Sequence, residues 1–287
     1  YLQDVASSSP YASLNSLGQS LEGRDLWQLK ISVGDGKPSV WIDCDIHARE
    51  WITAATCLYG INYLTESYGT DADVTGLLDA YDVYIMPVNN PDGYAYTWSD
   101  DRMWRKNRRK YDEDLCYGVD INRNFDDNFG GLGTSSNSCS ETYHGPSAAS
   151  EPETVATQDG IKDLVANADL QILYSIHSYS ELWMYAFGYT YDLPPEAPEL
   201  DAVSKIGVDA LYAVNGILYE YGPIADTIYP AASTTVDYAY AQGIANSFTL
   251  ELRDTGEYGF ILPADQITPV GEETWAGLIA SIMAIEV

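Results

Sequence analysis

Histidine is scarce in this 287-residue chain, which has only His47, His144 and His177. Positive charge is scarce too: 14 Lys and Arg stand against 43 Asp and Glu, for a formal net charge of −29. A chain this acidic does not hold nucleic acid through counterion release, and it does not dock on an anionic lipid membrane. No apolar run reaches the roughly 18 residues of a membrane-spanning helix. No Asn-x-Ser/Thr sequon occurs, so no N-linked glycan is expected. The lack of any Cys-x-x-Cys pair argues against a thiolate zinc site and a thioredoxin-type redox pair. Repeats, low-complexity linkers and breaks in composition are missing, so residues 1–287 read as one domain. Residues 1–11 are polar and carry no signal peptide, as in a cytosolic protein or a processed mature chain.

Hydrophobic residues make up 46% and charged residues 20%, a globular composition that excludes disorder, collagen and coiled coil. Solubility is the simplest reading of the acidity. The four cysteines, Cys44, Cys57, Cys116 and Cys139, can pair in three ways, and the residues alone leave the pairing open. Cys139 lies in the polar stretch 135–140, where a free thiol would oxidise. Disulfides and a secreted protein are therefore expected, rather than four buried thiols.

Residues 26–33 and 40–46 are apolar, β-branched-rich runs and read as strands. The spacing of Ile52, Ala55, Leu58, Tyr59, Ile61 and Leu64 predicts a helix over 50–68, directly after the second strand. A strand is expected over 81–88, ended by a turn at Asn90-Pro91-Asp92-Gly93. Residues 89–147 are polar and rich in Gly, Asn and Asp, and an irregular stretch of that length inside a domain is usually functional. Helices follow over 151–166, 200–221 and 272–285, with strands over 170–177 and 247–252. This alternation gives an α/β class with a mostly parallel or mixed sheet.

His47-Ala48-Arg49-Glu50 is an H-x-x-E motif at a strand–helix junction, and His177 ends another predicted strand. Ligands in open α/β sheets gather at the carboxyl ends of strands. Two imidazoles and one carboxylate, with the fourth position left to water, have the composition of a catalytic zinc site. Each histidine alone reads equally as a satisfied structural side chain. A three-histidine ligand set is the rival; it leaves Glu50 without a role and draws on His144 from a loop beside Gly145-Pro146. Glu251 sits between Leu250 and Leu252 in a strand, where a carboxylate is costly unless paired or functional. Its structural alternative is a salt bridge to Arg253, on the same strand face. Residues 102–110 hold six of the 14 basic residues, a positive island in an acidic chain.

Several segments together carry a wider signal: Glu22-Gly23-Arg24, His47-Ala48-Arg49-Glu50-Trp51, Asn90-Pro91-Asp92-Gly93-Tyr94 and Arg102-Met103-Trp104-Arg105-Lys106. They continue with 118–124 (Gly118 to Asn124), Tyr143-His144-Gly145-Pro146, His177-Ser178-Tyr179, Ile228-Tyr229-Pro230 and 248–256 (Phe248 to Gly256). In these, and in their order from residue 22 to 256, the chain resembles the zinc metallocarboxypeptidases of the funnelin type, close to the digestive carboxypeptidases A and B. The resemblance implies a single α/β domain with a twisted, mixed, eight-stranded sheet and helices on both faces. It implies one Zn²⁺ per chain held by His47, Glu50 and His177, with Asp120 orienting His47 and His144 not a ligand. Glu251 is then the general base of a Glu-assisted zinc-water mechanism, and Arg105 stabilises the oxyanion. Arg102, Arg108, Arg109 and Lys110 are expected to be solvated. Asn122 and Arg123 grip the terminal carboxylate, Tyr229 closes over the bound end, Arg49 and Tyr179 contact the peptide, and the implied disulfides are Cys44–Cys57 and Cys116–Cys139.

The implied reaction is hydrolysis of the last peptide bond of a peptide or protein, releasing one C-terminal amino acid. Val236 falls where B-type enzymes carry an acid and A-type enzymes an aliphatic residue. Ser175, Met184, Gly188, Ile224, Ala231 and Thr249 match other pocket positions and none is charged, which implies a pocket for apolar or aromatic ends. Ser233-Thr234 departs from the usual Gly-Gly, and the strong acidity is a second departure. The resemblance further implies a secreted, monomeric enzyme made as a zymogen, with Tyr1 generated by cleavage, and its own propeptide and proteinaceous carboxypeptidase inhibitors as partners. Two rival functions are a catalytically inactive, peptide-end-binding relative and an amidohydrolase acting on a non-peptide carboxylate.

Overall fold

The computed structural model describes residues 1–113 and 115–286. Eight strands form one mixed sheet: β1 (Ala12–Gln19), β2 (Asp25–Ile31), β3 (Ser39–Cys44), β4 (Asp82–Met86), β5 (Leu170–Ser178), β6 (Leu182–Tyr185), β7 (Glu220–Pro223) and β8 (Asn246–Leu252). Their spatial order is β1-β2-β4-β3-β5-β8-β6-β7. The central strands β4, β3, β5 and β8 run parallel, and β2 and β6 flank them antiparallel. Every residue of β3 and β4 is buried, as expected of strands covered on both faces.

The helices among the described residues are α1 (Leu2–Ser8), α2 (Trp51–Ser67), α3 (Ala72–Ala80), α4 (Pro91–Ser99), α5 (Pro152–Asn167), α6 (Ala197–Asn215), α7 (Ile224–Thr227), α8 (Thr235–Ala241) and α9 (Ile267–Ala284). Helices α2, α3, α6 and α9 bury one sheet face around Ile42, Ile176, Trp183 and Trp275, and α5 and α8 cover the other around Trp41, Ile121 and Val236. Close approach of α2 to α9 depends on Gly60, because a Cβ there would lie 1.8 Å from the Trp275 indole. That indole donates to the Thr56 carbonyl at 2.9 Å.

Three sequence expectations change. Asn90-Pro91-Asp92-Gly93 opens α4 instead of closing a strand into a turn: Asn90 Oδ1 accepts from the Gly93 N–H at 2.9 Å, and Pro91 takes the first helical position, where its missing N–H costs nothing. The long helix ends at Asn215, six residues before the expected end, because Gly216 adopts φ 75° and caps it. The closing helix starts earlier, at Ile267, since Pro269 is tolerated in a first turn. Of the stretch 89–147 expected to be irregular, α4 takes 91–99, and the described residues of 100–147 are irregular apart from a 3-10 turn over Ile121–Arg123. Disulfides join Cys44 to Cys57 and Cys116 to Cys139, the pairing implied by the resemblance. Among the described residues no helix is long and apolar enough to cross a membrane.

Candidate active site

The site forms where the parallel strands β3, β5 and β8 lie side by side and end together. His47 and Glu50 come from the turn after β3, Glu50 taking the N-cap position of α2. His177 lies near the end of β5, opposite Glu251 of β8 in register. His47, Glu50 and His177 are all buried, and their ligand-type atoms lie within 4.8 Å of one another. His47 Nδ1 is 2.8 Å from Glu50 Oε1 and 3.1 Å from His177 Nδ1, which is itself 3.3 Å from Glu50 Oε2.

The far ring nitrogens explain why these atoms face one another. His47 Nε2 is 3.2 Å from Asp120 Oδ1. Burial would raise the Asp120 pKa, yet Arg105 and His47 hold it well below the usual carboxylate range, so it accepts and leaves the proton on Nε2. Burial and Arg105 lower the His47 pKa, which favours the neutral ring with its Nδ1 lone pair turned inward. His177 Nε2 lies 3.2 Å from Ser175 Oγ, which donates to Asp43 Oδ1 at 2.7 Å and so accepts from the ring. The Ser178 N–H fixes Glu50 Oε2 at 3.1 Å. Two imidazole lone pairs and a carboxylate thus converge on one point, an arrangement that a divalent cation satisfies and a protein core otherwise avoids. These residues fit a zinc ion. His144 is elsewhere: its Nδ1 is 2.6 Å from the Gly145 carbonyl and its ring packs edge-on against Phe129.

A cleft opens beside this cluster, with Arg105, Asn122, Arg123, Tyr229, Val236 and Glu251 in its walls. His47, His177, Met184, Ile224, Ile228, Ala231, Thr234 and Thr249 also line it, whereas Ser175 and Gly188 are not among its lining residues. Arg105 binds Asp120 Oδ2 through Nε at 3.2 Å and Nη2 at 2.8 Å, and Nη1 has no hydrogen bond among the described residues. Arg123 is 3% exposed and has no acidic partner among the described residues; it donates only to the carbonyls of Gly133 at 3.0 Å and Asn122 at 2.8 Å. A buried, unpaired guanidinium in a chain of net charge −29 is a ready anion receptor. Asn122 is anchored by the Thr235 N–H at 2.9 Å. Tyr229 is 46% exposed at the rim.

Glu251 is partly open to the cleft. Burial, then the negative charge of Glu50, push its carboxyl up to about 8. Its suggested partner Arg253 is engaged by Glu273 and Gln266, so the Glu251–Arg253 salt bridge does not form. The expectation of solvated basic residues also fails in part. Arg102 stacks 3.8 Å over Trp51 and donates to the carbonyls of Arg49 and Phe260, Arg108 stacks 3.6 Å over Tyr96, and Arg109 pairs with Glu151. Arg49 lies in an adjoining cleft, 3.0 Å from Glu141 and over the Phe260 ring. Tyr179 packs against Phe260 outside the walls of the first cleft. Glu141 and Asp43 were not legible as site residues, because each is tied to the site only through a contact distant in sequence.

Comparison with known proteins agrees with this geometry. A family model described as zinc carboxypeptidase (Peptidase_M14) matches residues 1–277. Among curated proteins, the chain is 47% identical to carboxypeptidase A2 of Mus musculus over 274 residues and 47% identical to carboxypeptidase A1 of Bos taurus over 276. Each alignment covers 96% of this chain and 65% of the relative, so the chain spans a little under two thirds of their length. Among solved structures, thrombin-activatable fibrinolysis inhibitor superposes with a TM-score of 0.96 at 38% identity, covering 100% of this chain and 73% of that one. Carboxypeptidase A of Helicoverpa armigera superposes with a TM-score of 0.90 at 35% identity, covering 99% and 71%. With its sequence, its eight-stranded sheet and its His-Glu-His cluster all in agreement, the chain belongs to the zinc carboxypeptidase family, Peptidase_M14.

Proposed function

We propose that this chain is a zinc-dependent exopeptidase that removes apolar or aromatic residues from the C-termini of peptides and proteins. The observation that carries the reading is the unpaired, buried Arg123 beside the His47–Glu50–His177 cluster. It supplies a receptor for a chain-terminal carboxylate next to a metal-binding set. His47, Glu50 and His177 hold one zinc, which when bound acts as a Lewis acid toward the scissile carbonyl and lowers the pKa of water. Asp120 keeps His47 in the required tautomer. Arg123 and Asn122 orient the substrate's end, and Tyr229 closes over it from the rim. Arg105 offers its free Nη1 to the developing oxyanion. Glu251 takes a proton from the attacking water and returns it to the leaving amine. Arg49 and Tyr179 contact the peptide farther from its end.

Secretion is supported by the two disulfides. Processing from a zymogen that carries a propeptide, a monomeric state and inhibition by proteinaceous carboxypeptidase inhibitors complete the proposal. One related structure is bovine thrombin-activatable fibrinolysis inhibitor in complex with tick carboxypeptidase inhibitor, 37% identical to this chain with a TM-score of 0.91. The test is to incubate the protein with a peptide mixture and identify the amino acids released. Single C-terminal residues are expected, abolished by 1,10-phenanthroline and restored by zinc. Metal analysis should find one zinc per chain, retained in His144→Ala. Internal fragments, or metal loss in that variant, would count against the assignment.

The pocket makes a second prediction. Val236 is 2% exposed and supplies no counter-ion, so a Lys or Arg end would bury an unpaired cation at a cost of several kcal/mol, roughly. An apolar end gains about 25 cal/mol per Å² buried. The surrounding negative field favours basic ends, but it fades as the Debye length shrinks from about 10 Å at 0.1 M salt to about 3 Å at 1 M. Phe and Leu ends should therefore show the higher kcat/KM at every ionic strength, and Val236→Asp should reverse the order. Faster cleavage of Lys ends by the unmodified protein at high salt would refute the apolar-pocket assignment.

A further inference from the structure

One carboxylate near the cleft takes no part in the chemistry above. Asp237 follows Val236 in α8, is 1% exposed, and forms no ion pair with Lys, Arg or His among the described residues. Its oxygens accept from two successive backbone N–H groups, Gly188 at 2.9 and 3.1 Å and Tyr189 at 3.1 Å. The same short turn is tied on its carbonyl side. Ala231 N–H donates to the Gly188 carbonyl at 2.8 Å and Ala225 N–H to the Phe187 carbonyl at 3.1 Å.

Gly188 has no side chain to spare in this place. A Cβ on it would lie 2.5 Å from the Ala231 carbonyl oxygen and 3.2 Å from both Ile224 Cγ2 and Asp237 Oδ2. Ala231 and Ile224 are themselves walls of the cleft. The rear of the pocket is therefore two layers deep: Ala231 and Ile224 face the cleft, and the Gly188 backbone backs them. Asp237 ties that backbone to α8, whose Val236 forms the neighbouring part of the cleft wall. Thr234 supports the same corner, its Oγ1 accepting from the Asp237 N–H at 3.3 Å while the residue lines the cleft.

We propose that Asp237 is a positioning residue for the side-chain pocket: by holding Gly188 and Tyr189 back against α8 it keeps the rear wall open to large C-terminal side chains. The inference rests on the exopeptidase reading and refines its substrate class. In Asp237→Asn the shape is retained, but only one oxygen remains to accept, and the amide NH₂ turns toward an N–H it cannot bond. The turn then relaxes toward Ala231 and Ile224. Retained turnover of a peptide whose end does not reach the rear wall shows that the variant is folded.

The experiment compares matched peptides ending in Phe and in Ala, with the zinc-loaded protein and its Asp237→Asn variant. For the Phe end KM is expected to rise about tenfold, as for the loss of one charge-assisted hydrogen bond, with kcat within about twofold. The Ala end, too short to reach the rear wall, should change less than about twofold. The unmodified protein carries a second test that does not depend on the variant. Burial and Asp127 push the Asp237 carboxyl up to about 7, with Tyr189 the other titratable group facing it. The ratio of kcat/KM for Phe over Ala ends should fall as pH drops below about 7, and ionisations at the metal cluster, common to both peptides, cancel in that ratio. Equal losses for both ends, an unchanged variant, or a ratio flat with pH would overturn the proposal. Release of no amino acid from either peptide by the unmodified protein would overturn the exopeptidase reading, and this refinement with it.

Discussion

Glu251→Gln should keep its zinc and its affinity for peptide yet turn over roughly 10²- to 10⁴-fold more slowly, the usual cost of losing a general base. The amide fills the same space and cannot take the proton from water. The placement supports the proposed role: Glu251 stands directly across from His177 in the sheet, opens into the cleft, and has no hydrogen bond or ion pair among the described residues. Its carboxyl sits high, at about 8, because of burial and then of Glu50, and a divalent cation at the cluster would pull it back down. The working form is the carboxylate, so kcat/KM should fall as pH drops through the Glu251 pKa, and that acid limb should vanish from the residual activity of the Gln variant. Stability runs the other way. A carboxyl whose folded pKa is raised above its unfolded value of about 4.3 contributes its stability below that value and loses it as pH rises through the folded pKa. The metal-free Gln variant, which does not ionise, should therefore melt above the metal-free parent at pH 9. Near-normal turnover in Glu251→Gln would show that this carboxylate has no part in the chemistry.

Arg105→Gln should lower kcat by about 10²- to 10³-fold, the typical loss of one donor to a developing oxyanion. Arg105 and Arg123 are the same residue type in one cleft wall, but their partners differ. Arg105 is held by Asp120 through two nitrogens and keeps one nitrogen free, so it is rigid and its charge is largely matched. Arg123 is unmatched and suited to a full negative charge already present on the substrate. Loss of Arg105 should accordingly appear in kcat more than in KM. Asp120 also carries the His47 contact, so the variant must be checked for zinc. A zinc-depleted variant, or one whose KM alone changes, would mean that Arg105 serves Asp120 and not the reaction.

The metal set was legible because it uses two of only three histidines, one just past β3 and one near the end of β5, with a glutamate three residues after the first, and β3 and β5 announce themselves as buried apolar runs. Edge strand β1 was not, since Ala12–Gln19 is half exposed and mixes Ser, Asn and Gln with its Leu residues. Strands β6 and β7 have four residues each, too short for a period to register. The overextended 200–221 helix had its stop signal in Asn215-Gly216, masked by the apolar Ile217, Leu218 and Tyr219 that follow. At the site, residue types pointed to chemistry, but partners did not follow from spacing. Glu251 lies in β8 and Arg253 one residue past its end, and they do not pair, because Glu273 of α9, 20 residues on, holds Arg253. Arg102 and Arg108 read as solvated cations because the rings they stack on, Trp51 and Tyr96, gave no sign in sequence of lying beside them.

The Cys44–Cys57 bridge spans 13 residues and joins the end of β3 to the body of α2, enclosing His47 and Glu50 between its ends. Its consequence concerns the lifetime of the bound ion. Local opening of the first turn of α2 leaves the two ligands inside a covalent ring whose ends stay tethered, so each remains at high effective concentration with respect to the other. A metal ion held by His47, Glu50 and His177 would therefore leave only if His177, on a separate strand, let go in the same interval. The bridge would in this way act as a brake on metal dissociation.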